Sequence, residues 1–187
     1  MRIIRGKFRN KKLFFPKNLK TRPLKDSVKE NIFNILEHSP KLGTEVNNAN
    51  ILDLYAGSGS FGFECISRNA LEVTFDEKDN DALESIKKNI KNLKTEKKTK
   101  IFSSNVNNYL KGVFLKRKFD IIFFDPPFEN RDFVRNLGII IDKNIFSDKH
   151  IIIIHREKGS DKSLSGAIKI IEKRIYGRSE IFFGKLS

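Results

Sequence analysis

The stretch that decides the fold is FDIIFFDPPF, Phe119 to Phe128, an apolar run that ends in a carboxylate, two prolines and an aromatic ring. Residues 121–124 are β-branched or aromatic with no polar alternation, which is typical of a strand buried on both faces of a parallel sheet. Two prolines end the run, because proline has a fixed φ and no N–H to donate. The stretch therefore predicts a central strand with Asp125 at its carboxyl end, where open α/β sheets bind ligands.

The end of this stretch also predicts a site for a planar amine. The Asp125 carboxylate and the Pro126 carbonyl are two acceptors on a stiff backbone, and Phe128 adds a flat face. A plain strand-to-loop turn is the alternative, since Asp and Pro are common in turns. The candidate catalytic residues are Asp125, Pro126, Pro127 and Phe128.

A glycine motif lies between a predicted strand at residues 51–55 and a predicted helix. Gly57-x-Gly59-x-x-Gly62, with Glu77 20 residues after Gly57, has the form of a dinucleotide-binding fingerprint whose acid holds ribose hydroxyls. Asp53 precedes the motif, where its charge would repel a pyrophosphate and attract a cation. We therefore expect S-adenosyl-L-methionine, which carries an ammonium and a sulfonium, rather than a nicotinamide dinucleotide.

Each polar residue of this predicted cofactor site has a structural alternative. Asp53 is also placed to cap a loop, Glu77 to be a surface acid, and Asn105, assigned to the adenine amine, to be a turn residue. The predicted cofactor-binding residues are Asp53, Tyr55, Ala56, Gly57, Ser58, Gly59, Glu77 and Asn105.

Positive charge is concentrated at the amino end. The 187-residue chain has a formal net charge of +14, and residues 1–30 hold eleven Lys or Arg against two acids. Residues 1–24 are predicted to be a basic β-hairpin and connector that contacts RNA phosphates, and residues 25–187 the catalytic domain. A solvated edge guarded by lysine is the alternative. The predicted RNA-binding residues are Arg2, Arg5, Lys7, Arg9, Lys11, Arg22 and Lys25.

Composition excludes several classes of protein and site. No apolar stretch reaches the length of a membrane span, so we expect a cytoplasmic protein without a membrane partner. Cys65 is the single cysteine, which excludes an internal disulfide and a cysteine metal cluster. His155 has no second histidine nearby, so we expect no metal site. We also expect the protein to be a monomer.

Strands and helices alternate from residue 51 to about residue 155. This order predicts an α/β fold, with a mostly parallel sheet covered on both faces. Residues 156–166, rich in Gly, Ser and Lys, predict a loop. Residues 168–176 and 179–186 predict a closing antiparallel hairpin around Gly177.

With these motifs together, the chain resembles the RsmD family, bacterial methyltransferases of the guanine N2 amine (the guanine(966)-N2 type) in 16S ribosomal RNA. The resemblance covers nearly the whole chain, and the amino-terminal basic motif with Thr-Arg-Pro narrows it to this family. The motifs are RIIRGKF at residues 2–8, TRP at 21–23, FNIL at 33–36, LDLYAGSG at 52–59, EKD at 77–79 and FDPPF at 124–128. Lys29, Asn105 and His155 depart from the family pattern, which has Arg, Asp and an acid there.

The resemblance implies a Rossmann-like class I methyltransferase fold that transfers a methyl group from S-adenosylmethionine to 16S ribosomal RNA. The implied partner is this RNA or the small ribosomal subunit, as an assembly intermediate. A DNA adenine or cytosine amino-methyltransferase keeps the same chemistry on another target. A nicotinamide oxidoreductase and a non-catalytic RNA-binding module are the remaining alternatives.

Overall fold

The computed structural model describes residues 1–16, 24–103, 110, 118–130, 133–159, 164 and 166–186. The strands in this part of the chain are β1 (Asn50–Leu54), β2 (Glu72–Glu77), β3 (Thr99–Ser103), β4 (Phe119–Phe124), β5 (Phe146–Glu157), β6 (Ile168–Tyr176) and β7 (Ser179–Leu186). The α-helices are α1 (Asp26–His38), α2 (Ser60–Ser67), α3 (Asn80–Leu93) and α4 (Phe133–Asp142), and Glu96–Lys98 form a 3-10 turn.

These strands form one sheet in the order β3-β2-β1-β4-β5-β7-β6. The first five strands run parallel, whereas β7 pairs antiparallel with both β5 and β6. The predicted parallel sheet with an antiparallel carboxyl-terminal hairpin is therefore confirmed. Because β1 lies between β2 and β4, the strand order reverses beside it, which makes the carboxyl ends of β1 and β4 the expected ligand site.

Two apolar layers cover the sheet and explain why its central strands lack polar alternation. One face of β1 and β4 packs with α1, α2 and α3, through residues such as Ile51, Ile121 and Phe33. The other face packs with α4, through residues such as Leu52, Ile122 and Leu137. Successive strand residues point to opposite faces, so a strand covered on both sides needs an apolar residue at almost every position.

The amino-terminal segment, residues 1–16, shares the first of these layers. Ile3 is fully buried and Leu13 is nearly so, both within the core that includes α1 and α2. The predicted hairpin is short, since its antiparallel pairing is a single bridge between Arg2 and Lys12. Gly6, with φ +85°, lies so close to α2 that an added Cβ would stand 1.9 Å from the Ser67 carbonyl oxygen. The segment is therefore anchored to α2.

Some predicted residues lie outside the described part of the chain, and one predicted loop begins later than expected. Arg22 and Asn105 lie outside the described residues. The prediction of a loop from residue 156 is wrong at its start, because β5 continues to Glu157 by pairing with β7. Cys65 is buried and free. Within the described ranges, no helix combines the length and apolar character needed to cross a membrane.

Candidate active site

Three adjacent strands bring Tyr55, Asp125 and His155 to one edge of the sheet. Leu54 pairs with Phe124, and Phe124 pairs with Ile154, so the three residues that follow lie side by side. The predicted position of Asp125, at the carboxyl end of a central strand, is confirmed by this register. The site therefore lies where the strand order reverses.

Asp125 and His155 are hydrogen-bonded to each other. Asp125 Oδ1 lies 2.9 Å from His155 Nδ1. An ionised carboxylate only accepts hydrogen bonds, so Nδ1 carries the hydrogen and donates it. The edge of the imidazole meets Phe128, with ring centroids 5.6 Å apart at 80°. His155 thus orients the carboxylate and contacts the aromatic ring of the predicted clamp.

Each group in this pair keeps one atom without a partner among the described residues. His155 Nε2 is buried and makes no hydrogen bond there. Asp125 is half-buried, and its Oδ2 makes no hydrogen bond with the described residues. The Asp125 carboxylate therefore has a fixed oxygen and a second oxygen available to a substrate.

Arg156 fixes the backbone that follows Asp125, and the sequence did not indicate it. Its Nη1 donates to the carbonyls of Pro126 (3.2 Å) and Pro127 (2.8 Å), and its Nη2 donates to the Phe128 carbonyl (2.8 Å). The guanidinium also lies 4.3 Å from the Phe133 ring centroid. Burial lowers the pKa of Arg156, and the nearby Asp125 charge opposes this shift.

This contact changes the interpretation of the predicted amine clamp. The Pro126 carbonyl already accepts one hydrogen bond from Arg156. A carbonyl oxygen has two lone pairs, so a second donor can still bind it. Asp125 Oδ2 is consequently the stronger of the two predicted acceptors, because it is charged and has no donor among the described residues.

Tyr55 links the glycine loop to the segment after β4. Its hydroxyl accepts hydrogen bonds from the Nδ2 atoms of Asn130 (3.0 Å) and Asn136 (2.7 Å). Its ring meets Phe124 edge-on at 5.5 Å. The backbone of Tyr55 has φ 58°, which is uncommon for a bulky residue and is often found at functional sites. Tyr55 therefore couples the two halves of the site.

Backbone hydrogen bonds fix the glycine loop in place. Glu77 Oε2 accepts from the Gly57 amide at 2.7 Å, and its Oε1 accepts from the amides of Lys78 (2.8 Å) and Asp79 (2.9 Å). Asp53 Oδ2 accepts from the Gly62 amide at 3.0 Å. Glu77 thus shapes the loop, whereas Asp53 caps the first turn of α2 rather than a loop. Both also remain proposed ligands, because a carboxylate has about four acceptor positions.

Gly62 sets how closely α2 approaches the sheet. A Cβ added there would lie 2.3 Å from the Phe75 ring and 2.7 Å from Val73. The third glycine of the motif is therefore required for packing of α2 on β2, the role it has in dinucleotide folds. Ala56 and Ser58 of the loop also contact neighbouring residues. The Ala56 amide donates to the Asp76 carbonyl, and the Ser58 hydroxyl lies 3.5 Å from Met1 Sδ.

Three acids, Asp53, Asp125 and Glu77, lie close enough together at the site for their charges to interact. Burial raises the pKa of Asp53 well above its usual value, and the charges of Asp125 and Glu77 raise it further. The Gly62 amide opposes this shift. Such a group is costly to ionise unless a cation lies beside it. The site therefore fits a ligand that carries positive charge near Asp53.

The predicted RNA-binding residues that the structure describes lie on the amino-terminal segment and at the start of α1. Arg5 differs from the others, because its Nη1 forms an ion pair with Glu37 Oε2 at 2.7 Å while the side chain stays 62% exposed. Exposed members of the predicted set are Arg2, Arg5, Lys7, Arg9, Lys11 and Lys25. Lys29, noted in the sequence as a departure, is fully buried, and its Nζ donates to the Arg2 carbonyl.

Comparison with known proteins gives one family and similar structures. A family model described as Conserved hypothetical protein 95 matches residues 1–185. The chain is 33% identical over 165 residues to "Ribosomal RNA small subunit methyltransferase D" of Haemophilus influenzae, covering 88% of this chain and 81% of that protein.

Solved structures agree with this sequence similarity. The Escherichia coli protein yhhF superposes with a TM-score of 0.84 at 26% identity, over 100% of this chain and 98% of that one. A structure of the protein SMU.776 complexed with SAH has a TM-score of 0.65 at 13% identity, over 84% of this chain and 49% of that chain, which shows a shared fold.

Proposed function

Because the chain belongs to the family described as Conserved hypothetical protein 95, the RsmD family, we propose that it methylates the N2 amine of a guanine in small-subunit (16S) ribosomal RNA. Members of this family are S-adenosylmethionine-dependent methyltransferases, and so is this chain. The observation that carries the finer proposal is the Asp125–His155 pair beside Phe128, at the edge that also holds the glycine loop.

The acidic side of the site is suited to the methyl donor. Asp53 is buried and crowded by Glu77 and Asp125, so a cationic group beside it offsets the cost of its ionisation. Glu77 is assigned to the ribose hydroxyls, since its carboxylate stands next to the Gly57 amide at the loop. When bound, S-adenosylmethionine supplies a methyl group on a positively charged sulfur.

The aromatic side of the site is assigned to the target base. The guanine N2 lone pair is delocalised into the ring, which makes the amine a poor nucleophile. Asp125 Oδ2 accepts one N–H of this amine, and the Pro126 carbonyl accepts the other through its second lone pair. Phe128 stacks on the base, which leaves its own stack to enter the pocket. These contacts orient the amine before reaction.

The proposed methyl transfer involves the amine nitrogen, the bound methyl donor and Asp125. The bound donor would supply the methyl group: the amine nitrogen would form a bond to the methyl carbon as the carbon–sulfur bond breaks and leaves its electron pair on sulfur. The nitrogen then carries a positive charge and gives up one proton to Asp125 Oδ2, which already accepts a hydrogen bond from that N–H. A carboxylate beside this nitrogen stabilises the developing charge. The pair of Asp125 and His155 keeps that carboxylate in position.

The test is to map the methyl group. The purified chain is incubated with labelled S-adenosylmethionine and with three substrates: small-subunit RNA from a strain that lacks the activity, the immature subunit, and naked DNA. We expect N2-methylguanosine at one position of the RNA, identified by mass spectrometry. Methylation of DNA alone, or of an adenine or cytosine in the RNA, would overturn the proposal.

A further inference from the structure

A basic cavity lies at the edge of the sheet opposite the candidate active site. α2 runs from the glycine loop back to the amino ends of the parallel strands, and α3 also ends at that edge. The last turns of both helices, the amino-terminal segment and the 3-10 turn enclose a cavity of about 360 Å³. Its lining includes Lys7, Phe8, Ile66, Lys94, Lys97 and Lys98. The volume is within the range of small-ligand sites.

The lysine side chains give this cavity a net positive charge. Four lysines line it against one acid, Glu96. Lys98 already has a partner, since its Nζ donates to the Ala70 carbonyl at 3.0 Å. The Lys94 and Lys97 ammonium groups make no hydrogen bond or ion pair with the described residues. Two exposed charges are thus available to an anion.

An aromatic wall stands beside these charges on a fixed backbone. The Phe8 ring is half-buried, and Lys7 Nζ lies 5.5 Å from its centroid. The Phe8 amide donates to Ser67 Oγ (2.9 Å) and the Lys7 amide to the Ser67 carbonyl (2.8 Å), which fixes both residues against α2. A rigid aromatic ring next to cations is the combination that binds single-stranded nucleic acid.

We infer that this cavity is a second RNA-binding site, which holds one nucleotide of the substrate away from the reacting base. The base packs against Phe8, and its phosphate is bound by Lys94 and Lys97. The inference rests on the proposed function in taking RNA as the substrate. Because Lys7 joins the cavity to the basic amino-terminal segment, the bound RNA extends across that segment from one edge of the sheet to the other.

The test compares two pairs of lysines on the same part of the chain. Lys94→Ala with Lys97→Ala removes the proposed phosphate contacts. Lys88→Ala with Lys91→Ala removes the same charge from exposed positions of α3 that do not line the cavity. The dissociation constant of a small-subunit RNA fragment is measured against salt concentration. For the cavity pair we expect a plot of log K against log salt that is shallower by about 1 to 2. The control pair keeps the wild-type slope.

A second variant tests the aromatic wall. Phe8→Leu keeps an apolar side chain in the core and removes the ring, so RNA affinity should fall about tenfold without a change of salt slope. Melting temperatures of all variants are measured, because a purely helix-stabilising role of the lysines would lower them without changing the salt slope. That result would overturn the inference.

The two proposals fail in different ways. If wild-type protein binds and methylates RNA but the two lysine pairs have equal slopes, the cavity inference alone is overturned. If wild-type protein binds no RNA, both the cavity inference and the proposed substrate are overturned.

Discussion

The imidazole of His155 decides which oxygen of Asp125 is available to a substrate. Oδ1 is bonded to Nδ1 at 2.9 Å, and the ring edge meets Phe128. A free carboxylate rotates about its terminal bond, whereas this one has a fixed plane. His155 is therefore a positioning residue in the proposed reaction, and the departure from the family pattern at this position has a structural role.

We predict that His155→Ala lowers kcat by roughly 10- to 100-fold, since a small misplacement of a reacting group has that effect on rate. The dissociation constant of S-adenosylmethionine, measured by calorimetry, should not change. His155→Asn is the matched control, because its Nδ2–H stands near the position of the imidazole Nδ1–H. Equal losses of kcat in both variants would contradict a positioning role.

We expect Asp53 to make cofactor binding depend on pH. Its pKa is raised in the folded chain, so the folded state binds the carboxyl proton more tightly than the unfolded state does. The contribution of Asp53 to the free energy of unfolding therefore decreases as pH rises from its unfolded pKa through its folded pKa. A cation beside it favours the ionised form and reverses part of this cost.

From this sign, affinity for S-adenosylmethionine should rise with pH across the titration of Asp53. Asp53→Asn keeps an acceptor for the Gly62 amide and removes the charge. We expect it to raise the melting temperature of the ligand-free protein at neutral pH, to weaken cofactor binding, and to make binding less dependent on pH. Calorimetry at several pH values and thermal unfolding measure these effects. If the Asp53→Asn variant binds S-adenosylmethionine with wild-type affinity, a role of Asp53 in cofactor binding is excluded.

At the scale of elements, Glu64 of α2 anchors the amino-terminal segment. Its fully buried carboxylate accepts hydrogen bonds from the Ile4 (2.7 Å) and Arg5 (3.0 Å) amides and pairs with Arg68 Nε at 2.9 Å. The buried Lys29 ammonium lies 3.9 Å from it. Burial lowers the pKa of Lys29, while the Glu64 charge opposes this shift. The basic segment is thus held by a buried ionic cluster.

Replacing this anchor should release the segment. Glu64→Ala removes the fully buried ion-pair partner of Lys29, which keeps only the partly exposed Asp26 at 3.7 Å, and should lower the free energy of unfolding by about 3–5 kcal/mol. Chemical denaturation measures the loss, and limited trypsin digestion should cut within residues 5–12. Glu84→Ala is the control, because that acid pairs with Lys87 at the surface, with 58% of its side chain exposed. Similar unfolding curves for the two variants would contradict the anchoring role.

At the scale of the whole molecule, local patterns predicted the parts of the fold that depend on neighbouring residues. The apolar run before Asp125, the glycine turn before α2 and the hairpin around Gly177 each combine a side-chain period with a turn residue. These elements were predicted because the residues that form each sequence pattern are the same residues that determine the local structure. The carboxyl-edge position of Asp125 followed from them.

Residues that act through distant contacts were not predicted. Arg156 bonds carbonyls 28 to 30 residues earlier, and Asn136 reaches Tyr55 over 81 residues. Glu64 is fully buried although its residue type is usually exposed, because it receives amides some 60 residues away. Such pairings depend on the assembled sheet, and nothing local in the sequence indicates them.

The most direct test of the whole account is methyl transfer by Asp125→Ala. In the proposed arrangement, donor and base meet at one edge of the sheet, where Asp125 orients the amine while Asp53 and Glu77 hold the donor. Single-turnover transfer to small-subunit RNA is measured together with the dissociation constant of S-adenosylmethionine. We predict that transfer is abolished while cofactor affinity stays near that of the wild type. Wild-type turnover by this variant would contradict the account.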